Sequence, residues 1–462
     1  MRRRTDHRLK RAAIAVLALA GALIAGTSHA MSFAEAYAAA RNSDPNFRSA
    51  GFELESQRQA VPIARSNLLP QVNVNVSRAD VSGSRSFYNG GNQEVRTQLD
   101  YSSPQSSLQA RMALFNREAS KRYEQAQAQV DVAESVYRSR ALELIDRLGT
   151  AYMQVLLADE NKGLADAQLV AAQAQLTRAE QRFKRGEGTR TEQALAQAQA
   201  DVSRVRVIEA ADAREVARRG LKRLIGRDVP PLNQPAADFM PGPLEPGGLF
   251  EWIEIAVRNS ATVRAREQSV MVARLNIERQ SAAHYPRLDL VASISRNEND
   301  SVNNLGQTNI LKSLGMQLSV PIYSGGGIDA SVKQAVAERQ RAEEDLRAER
   351  ETVELEVQRN FQNVVNGAER VQAYKRAAES SEVAYRGAVR AQEAGLGTTA
   401  DVLDALSRQY LAQRDLAQSR YEYLLSRLRL QSLSGLPIDE VVSDCDRLLN
   451  RAPAPAPAPA KP

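Results

Sequence analysis

Two very long stretches of the chain contain no proline, Asn116 to Val229 and Ile322 to Leu436. Both are dominated by Ala, Gln, Glu, Arg and Leu, which are good helix formers. In the first stretch the apolar positions Tyr123, Ala126, Val130, Ala133 and Tyr137, then Leu144, Leu148, Ala151, Val155 and Ala158, advance in steps of three and four. That spacing is a coiled-coil seam, and its many alanines permit close helix approach. Each stretch is broken once by a glycine-rich turn. The turns are Gly186-Glu187-Gly188-Thr189-Arg190-Thr191-Glu192 and Gly395-Leu396-Gly397-Thr398-Thr399-Ala400-Asp401-Val402-Leu403-Asp404. The helix before each turn runs about 70 residues, roughly 100 Å at 1.5 Å per residue. A shorter helix returns from each turn and ends near Gly226 or Gly435.

The turns share Gly-x-Gly-Thr with an acidic residue four positions after the second glycine, and they lie 209 residues apart. Glycine frees the backbone for a left-handed turn, Thr398 or Thr399 can cap the returning helix, and Asp401 faces its positive dipole end. The chain is therefore built twice. Arg41-Asn42-Ser43 and Arg258-Asn259-Ser260 also match, 217 residues apart. Pro70 and Pro286 each end a helix and open an alternating segment, Val72, Val74 and Val76 in the first half and Leu288, Leu290, Ala292 and Ile294 in the second. A second alternating segment follows in each half, with Leu108, Ala110, Met112 and Leu114 on one face, and then Leu314, Met316, Leu318 and Val320. Period two with one apolar face marks half-buried strands. Four strands cannot close a barrel, so the apolar face needs another sheet or lipid, and three chains would supply twelve.

The expected organisation is a signal peptide over 1–30, a first repeat over 31–229, a Pro-rich linker over 230–249, a second repeat over 250–436, and a segment 437–462 ending in an Ala/Pro-rich tail. Within the first repeat the strands are expected at about 70–80 and 93–115, the latter interrupted at Ser102-Ser103-Pro104. The long helix follows over 116–185 and the return helix over 189–226. In the second repeat the strands fall at about 286–296 and 309–321, the helices at 324–394 and 398–434.

The first 30 residues carry Arg2, Arg3, Arg4, Arg8, Lys10 and Arg11 before an apolar run, then Ser28-His29-Ala30, the pattern of a secretory signal peptide cleaved before Met31. These six basic residues, against Asp6, account for five of the six net positive charges. The mature chain is then close to neutral, which excludes nucleic acid as an expected partner. Only His284 and Cys445 remain of their types, which excludes a His/Cys metal cluster and an internal disulfide. Past residue 30 no segment is apolar over the 18 residues that a membrane helix needs. The Gly-x-Gly-Thr turns do not read as phosphate loops, because no strand precedes them and no Lys follows at the required spacing. Trp252 reads as a core anchor, and Cys445 and His284 as structural. No catalytic residue, metal ligand or cofactor is expected.

Helix, strand, strand, very long helix, turn and half-length helix, repeated behind a signal peptide, resembles the TolC family of outer-membrane export channels. The residues that carry the match are Arg182-Phe183-Lys184-Arg185-Gly186-Glu187-Gly188-Thr189-Arg190-Thr191, Gly395 to Ala405, Tyr421-Glu422-Tyr423-Leu424, and the joints Leu114-Phe115-Asn116 and Ile322-Tyr323-Ser324-Gly325-Gly326-Gly327. The resemblance implies a homotrimer with one twelve-stranded β-barrel in outer-membrane lipid, continued by a hollow coiled-coil α-barrel across the periplasm. It implies adaptor docking at the tip turns, at Gly186, Gly188, Thr189, Gly395, Gly397 and Thr398, and an inner-membrane ABC or RND transporter as the energy source. It places Asp401 and Asp404 in a ring at the entrance, with Glu192 and Leu195 at the equivalent first-half positions. Gln392 and Gly397 stand where the family has a closing latch. The plain alternative for both aspartates is helix N-terminal charge on a solvated face. Type I protein secretion is the expected role. Multidrug efflux is the alternative, and a soluble periplasmic coiled-coil scaffold or adaptor, which would lack the strand pairs, is the rival from another class.

Overall fold

The computed structural model describes residues 30–236, 238–301 and 304–449. Most of the expected signal peptide and the Ala/Pro tail lie outside the described residues. The first half contains α1 (Phe33–Ser43), α2 (Pro45–Arg58), α3 (Ala60–Ser66), β1 (Gln71–Tyr88), β2 (Glu94–Phe115), α4 (Arg117–Lys184) and α5 (Arg190–Ile225). The second contains α6 (Leu249–Asn259), α7 (Ala261–Ser281), a single 3-10 turn, β3 (Arg287–Ser301), β4 (Asn304–Ser319), α8 (Gly327–Glu393), α9 (Thr399–Leu433) and α10 (Ile438–Leu448).

The chain forms two compact units, and neither is a sequence repeat. One gathers the residues up to Ser49, Arg140–Ser260 and the residues from Val353 on; the other gathers Ala50–Ser139 and Ala261–Thr352.

The second of these units holds a single antiparallel sheet in the order β1-β2-β3-β4. Its register explains the alternation. Val74, Leu108, Ile294 and Lys312 stand opposite one another across the four strands, and so do Val72, Ala110, Ala292 and Leu314. Met112, Leu290 and Met316 form the next row. Residues directly opposite share a face, so these rows make one apolar surface, on which Val76 and Leu314 are 77% and 76% exposed. The other face is polar. Asn73, Gln109, Ser293 and Ser313 form one of its rows, and Arg111 bonds the buried Asp289 at 2.7 Å. At the joint to α4 a bulge between Ala113 and Phe115 shifts the register, and Phe115 takes the place opposite Leu288.

All four strand expectations need correction. β1 runs on to Tyr88, and β3 and β4 extend to Ser301 and back to Asn304. The β3 and β4 additions pair polar with polar, as in Asn297 with Asn309 and Glu298 with Thr308, so a hydrophobic period cannot reveal them; in the β1 addition Val81 lies opposite Tyr101 and Phe87 opposite Val95. β2 is continuous through Ser102-Ser103-Pro104, with Pro104 opposite Arg78. Among the described residues, β2 pairs with β3 in register from Gln105 to Phe115. Proline is tolerated where one side of a strand is unpaired.

In the other unit the heptad becomes a buried line: Ala158, Ala165, Ala172 and Ala179 along α4, and Val357, Val364, Val371 and Ala378 along α8. Leu144, Leu148 and Val155 of the expected seam are fully buried, and Ala151 is half-buried. In the sheet-bearing unit, Tyr123, Ala126, Val130, Ala133 and Tyr137 are only half-buried. Trp252 is an anchor: it is 2% exposed and its Nε1 donates to Pro246 O at 2.7 Å.

α10 was not expected. Pro437 opens it, and Val441, Val442 and Cys445 bury one side of it. Burial pushes the Cys445 thiol pKa up, which keeps it protonated and inert. Asp446 accepts from the Phe33 and Ala34 amides at 2.6 and 3.1 Å, so the last helix caps the first. Beneath this cap Phe33 meets the Tyr152 ring edge-on at 5.6 Å, and the Tyr152 hydroxyl reaches Met31 O at 2.8 Å. Asp446→Ala leaves two helix N-terminal donors without their acceptor. It is expected to cost about 2 kcal/mol, read as a lowered midpoint in thermal unfolding.

Candidate functional site

The two glycine-rich turns are closed by the same pair of backbone bonds. In the first, Gly186 has φ 75°, its amide donates to Phe183 O at 3.0 Å, and the Glu187 amide donates to Arg182 O at 2.9 Å. In the second, Gly395 has φ 72°, its amide donates to Gln392 O at 3.1 Å, and the Leu396 amide donates to Ala391 O at 2.9 Å. This double bond pattern closes a helix on a left-handed residue. The second glycine of each turn serves contact rather than φ. A Cβ on Gly188 would stand 3.2 Å from Arg182 Cβ, and one on Gly397 would stand 3.2 Å from Ala391 Cβ.

Each returning helix then starts with a reciprocal cap. The Glu192 amide donates to Thr189 Oγ1 at 3.2 Å, and the Thr189 amide donates to Glu192 Oε2 at 3.1 Å. In the second turn the Asp401 amide donates to Thr398 Oγ1 at 3.2 Å, and the Thr398 amide donates to Asp401 Oδ2 at 2.9 Å. Thr398, not Thr399, is the cap. Thr399 is buried and its hydroxyl accepts from Gln392 Nε2 at 3.0 Å. Glu192 and Asp401 thus hold the same structural post, and the plain reading of Asp401 is met in full. Asp404 is free of this duty. It lies one turn on, exposed, with Arg408 at 2.7 Å.

The tip residues that the sequence reading missed are apolar. Leu403 packs on Ala179 and Ala196, and Leu406 packs on Ala172 and Ala200. These contacts hold the two hairpin tips side by side, which brings the Thr398–Asp404 segment beside the first-half turn. The signal was present in the buried spacing Thr399, Val402, Leu403, Leu406, interleaved with the two aspartates.

Hydrogen bonds from the Thr398 hydroxyl, and then from its amide, hold the Asp401 carboxyl below the usual carboxylate range. A carboxyl with a depressed folded pKa contributes stability above its unfolded pKa and loses it as pH falls through the lowered value. The α9 cap is therefore expected to persist at pH 5 and to loosen only below the ordinary carboxylate range. Amide exchange at the start of α9, followed against pH, checks this, and Asp401→Asn should flatten the profile.

A four-stranded amphipathic sheet and two long helical hairpins, with two strands and one hairpin from each repeat, define a subunit of a channel-tunnel. The outer membrane efflux protein family model matches residues 36–227 and 252–436, and the chain belongs to that family. It is a channel component rather than an enzyme. Among curated relatives, the proteases secretion protein PrtF of Dickeya chrysanthemi is 32% identical over 91% of this chain and 90% of its own length. The alkaline protease secretion protein AprF of Pseudomonas aeruginosa is 31% identical over 90% of this chain and 87% of its own. Among solved structures, the Campylobacter jejuni CmeC outer membrane channel superposes with a TM-score of 0.73 at 15% identity, covering 90% of this chain and 89% of that one. That likeness shows the fold.

Proposed function

We propose that three copies of the chain join edge to edge, β4 of one against β1 of the next, into one twelve-stranded barrel in the outer membrane. The observation that carries this reading is the sheet. The outer edges of β1 and β4 have no partner strand among the described residues, and the sheet's apolar rows are exposed. An open apolar edge is unstable in water, and closure removes it. Five rows from Leu318 to Ile310, at about 3.3 Å per residue and a tilt near 40°, give a band roughly 20–25 Å tall, as a barrel wall requires. Phe115 and Tyr285 stand exposed at the helix end of the strands, and Phe87 and Tyr88 at the hairpin end, where aromatic girdles form. On α5, Leu195, Val202, Ile208 and Val216 make a second exposed apolar stripe, which suits a neighbouring protomer.

In this reading the helices form the periplasmic tunnel and the tips meet an adaptor, at Gly186, Gly188, Thr189, Gly395, Gly397 and Thr398. Energy comes from an inner-membrane transporter. The secretion roles that PrtF and AprF carry in their names favour protein export, with an ABC partner, as this chain's task. The family's own description keeps efflux, with an RND partner, as the second reading. The amphipathic sheet argues against a soluble scaffold.

Three-fold symmetry brings Asp401 and Asp404 of each chain towards one axis, with Glu192 on the neighbouring hairpin. Gathered like charges favour a bound cation. Asp401→Asn with Asp404→Asn is expected to weaken block by divalent cations at least tenfold in planar bilayers. Unchanged block would remove these residues from the constriction.

A further inference from the structure

We propose that the outward face of the barrel carries a built-in collar for the phosphates of lipopolysaccharide, the phosphorylated glycolipid of the outer leaflet, formed by Arg78, Arg296 and Lys312. The inference rests on the membrane-barrel reading above and extends it to the lipid that the barrel takes.

The register places the three side chains. Lys312 stands in the row of Val74, Leu108 and Ile294, on the apolar face. Arg296 stands one row further towards the hairpin end, with Val76, Ser106 and Ile310. Arg78 follows Val76 on the same face of β1, one row further again, opposite Pro104. The three cations thus step outward across the last two apolar rows and the first polar one. They lie at the end away from Phe115 and the helix joint, which is the end that faces outside when the helices are periplasmic.

Among the described residues of the sheet, no acidic side chain pairs with Lys312. Its neighbours along and across the strands on that face are Ile310, Leu314 and Ile294. A lysine on a lipid-facing row keeps its stem in the apolar band and needs an anion within reach of its amine at the interface. Arg296 and Arg78 each have one acidic neighbour two residues on, Glu298 and Asp80, both on the loop side. The side chains of both arginines are largely exposed, 58% for Arg296 and 70% for Arg78. Basic residues therefore lie against the band and acidic ones beyond it. That order suits a headgroup whose phosphates sit just above its acyl chains, with sugars further out. Guanidinium and ammonium groups take phosphate through charge-assisted bonds. The collar is continuous with the apolar rows that the acyl chains cover, so one molecule would meet both parts of the surface.

The test uses the full-length protein extracted from outer membranes and exchanged into detergent. Rough-type lipopolysaccharide, phosphatidylglycerol and inorganic phosphate are offered separately, and bound lipid per assembly is read by native mass spectrometry. The parent should retain lipopolysaccharide and gain heat resistance from it. Arg78→Gln/Arg296→Gln/Lys312→Gln should lose at least tenfold of that retention, while Arg85→Gln, on the other face opposite Thr97, should lose none. If the triple variant does not assemble, Lys312→Gln alone should lower retention about threefold and Lys312→Arg should restore it. Equal retention by the parent and the Gln variants, or phosphatidylglycerol or free phosphate binding as tightly as lipopolysaccharide, overturns the proposal. Recovery of the parent outside the membrane fraction would instead overturn the barrel reading beneath it.

Discussion

Leu314→Arg is expected to abolish the outer-membrane assembly, while Ser313→Arg, one residue away, is expected to leave it intact. Leu314 lies opposite Ala292 in the middle of the apolar rows and is 76% exposed in the single chain. Ser313 lies on the opposite face, with its hydroxyl 2.7 Å from that of Ser293. A cationic side chain near the bilayer midplane costs about 2–4 kcal/mol on the lipid face of a barrel, and a lumen position costs far less. Symmetry multiplies the first figure by three, to roughly 6–12 kcal/mol per assembly, which exceeds what a marginally stable protein can lose. Membrane fractionation of the two variants reads the difference directly. Equal insertion of both would mean that the apolar face does not meet lipid.

The second large effect is expected at Gly435, where α9 ends against the C-terminus of α6. Its φ is 67°, and a Cβ there would lie 2.5 Å from Asn259 O and 2.7 Å from Asn259 C. Gly435→Ala therefore combines left-handed strain of about 1–2 kcal/mol with a clash against backbone, for a total of about 3 kcal/mol or more. Two other glycines separate these contributions. Gly226 is the first-half counterpart, with φ 71°, but its Cβ would meet Ser43 Oγ at 2.5 Å and Cβ at 2.7 Å, a side chain with some freedom to move. Gly325 has φ 62° with open space around it. Thermal midpoints should fall in the order Gly325→Ala, then Gly226→Ala, then Gly435→Ala, the last being lowest. A flat series would show that the helix ends are not locked where the contacts place them.

The helical hairpins were legible because their signals are local. Proline-free runs, a three-and-four seam and Gly-x-Gly-Thr each act within a few turns of helix. The Thr189 and Thr398 caps follow from the same short-range chemistry. α10 escaped because its reason for existing is distant: Val441, Val442 and Cys445 need a core, and Asp446 needs the first turn of α1, more than four hundred residues earlier. The ends of β3 and β4 escaped because polar pairs such as Asn297 with Asn309 carry no hydrophobic period. The two compact units cut across both repeats, which a duplicated sequence does not reveal. At the tip, the acidic residues drew attention while Leu403 and Leu406 did the packing. The capping duty of Asp401 and Glu192 could be read from Thr-x-x-Asp and Thr-x-x-Glu. A shared entrance ring belongs to an assembly that one chain does not contain.

The most direct measurement is the mass of the particle extracted from outer membranes in mild detergent, by native mass spectrometry. Closure of a barrel from a sheet with two open edges predicts three copies of the chain in one particle that resists dissociation. A freely soluble monomer recovered from the periplasm would contradict it.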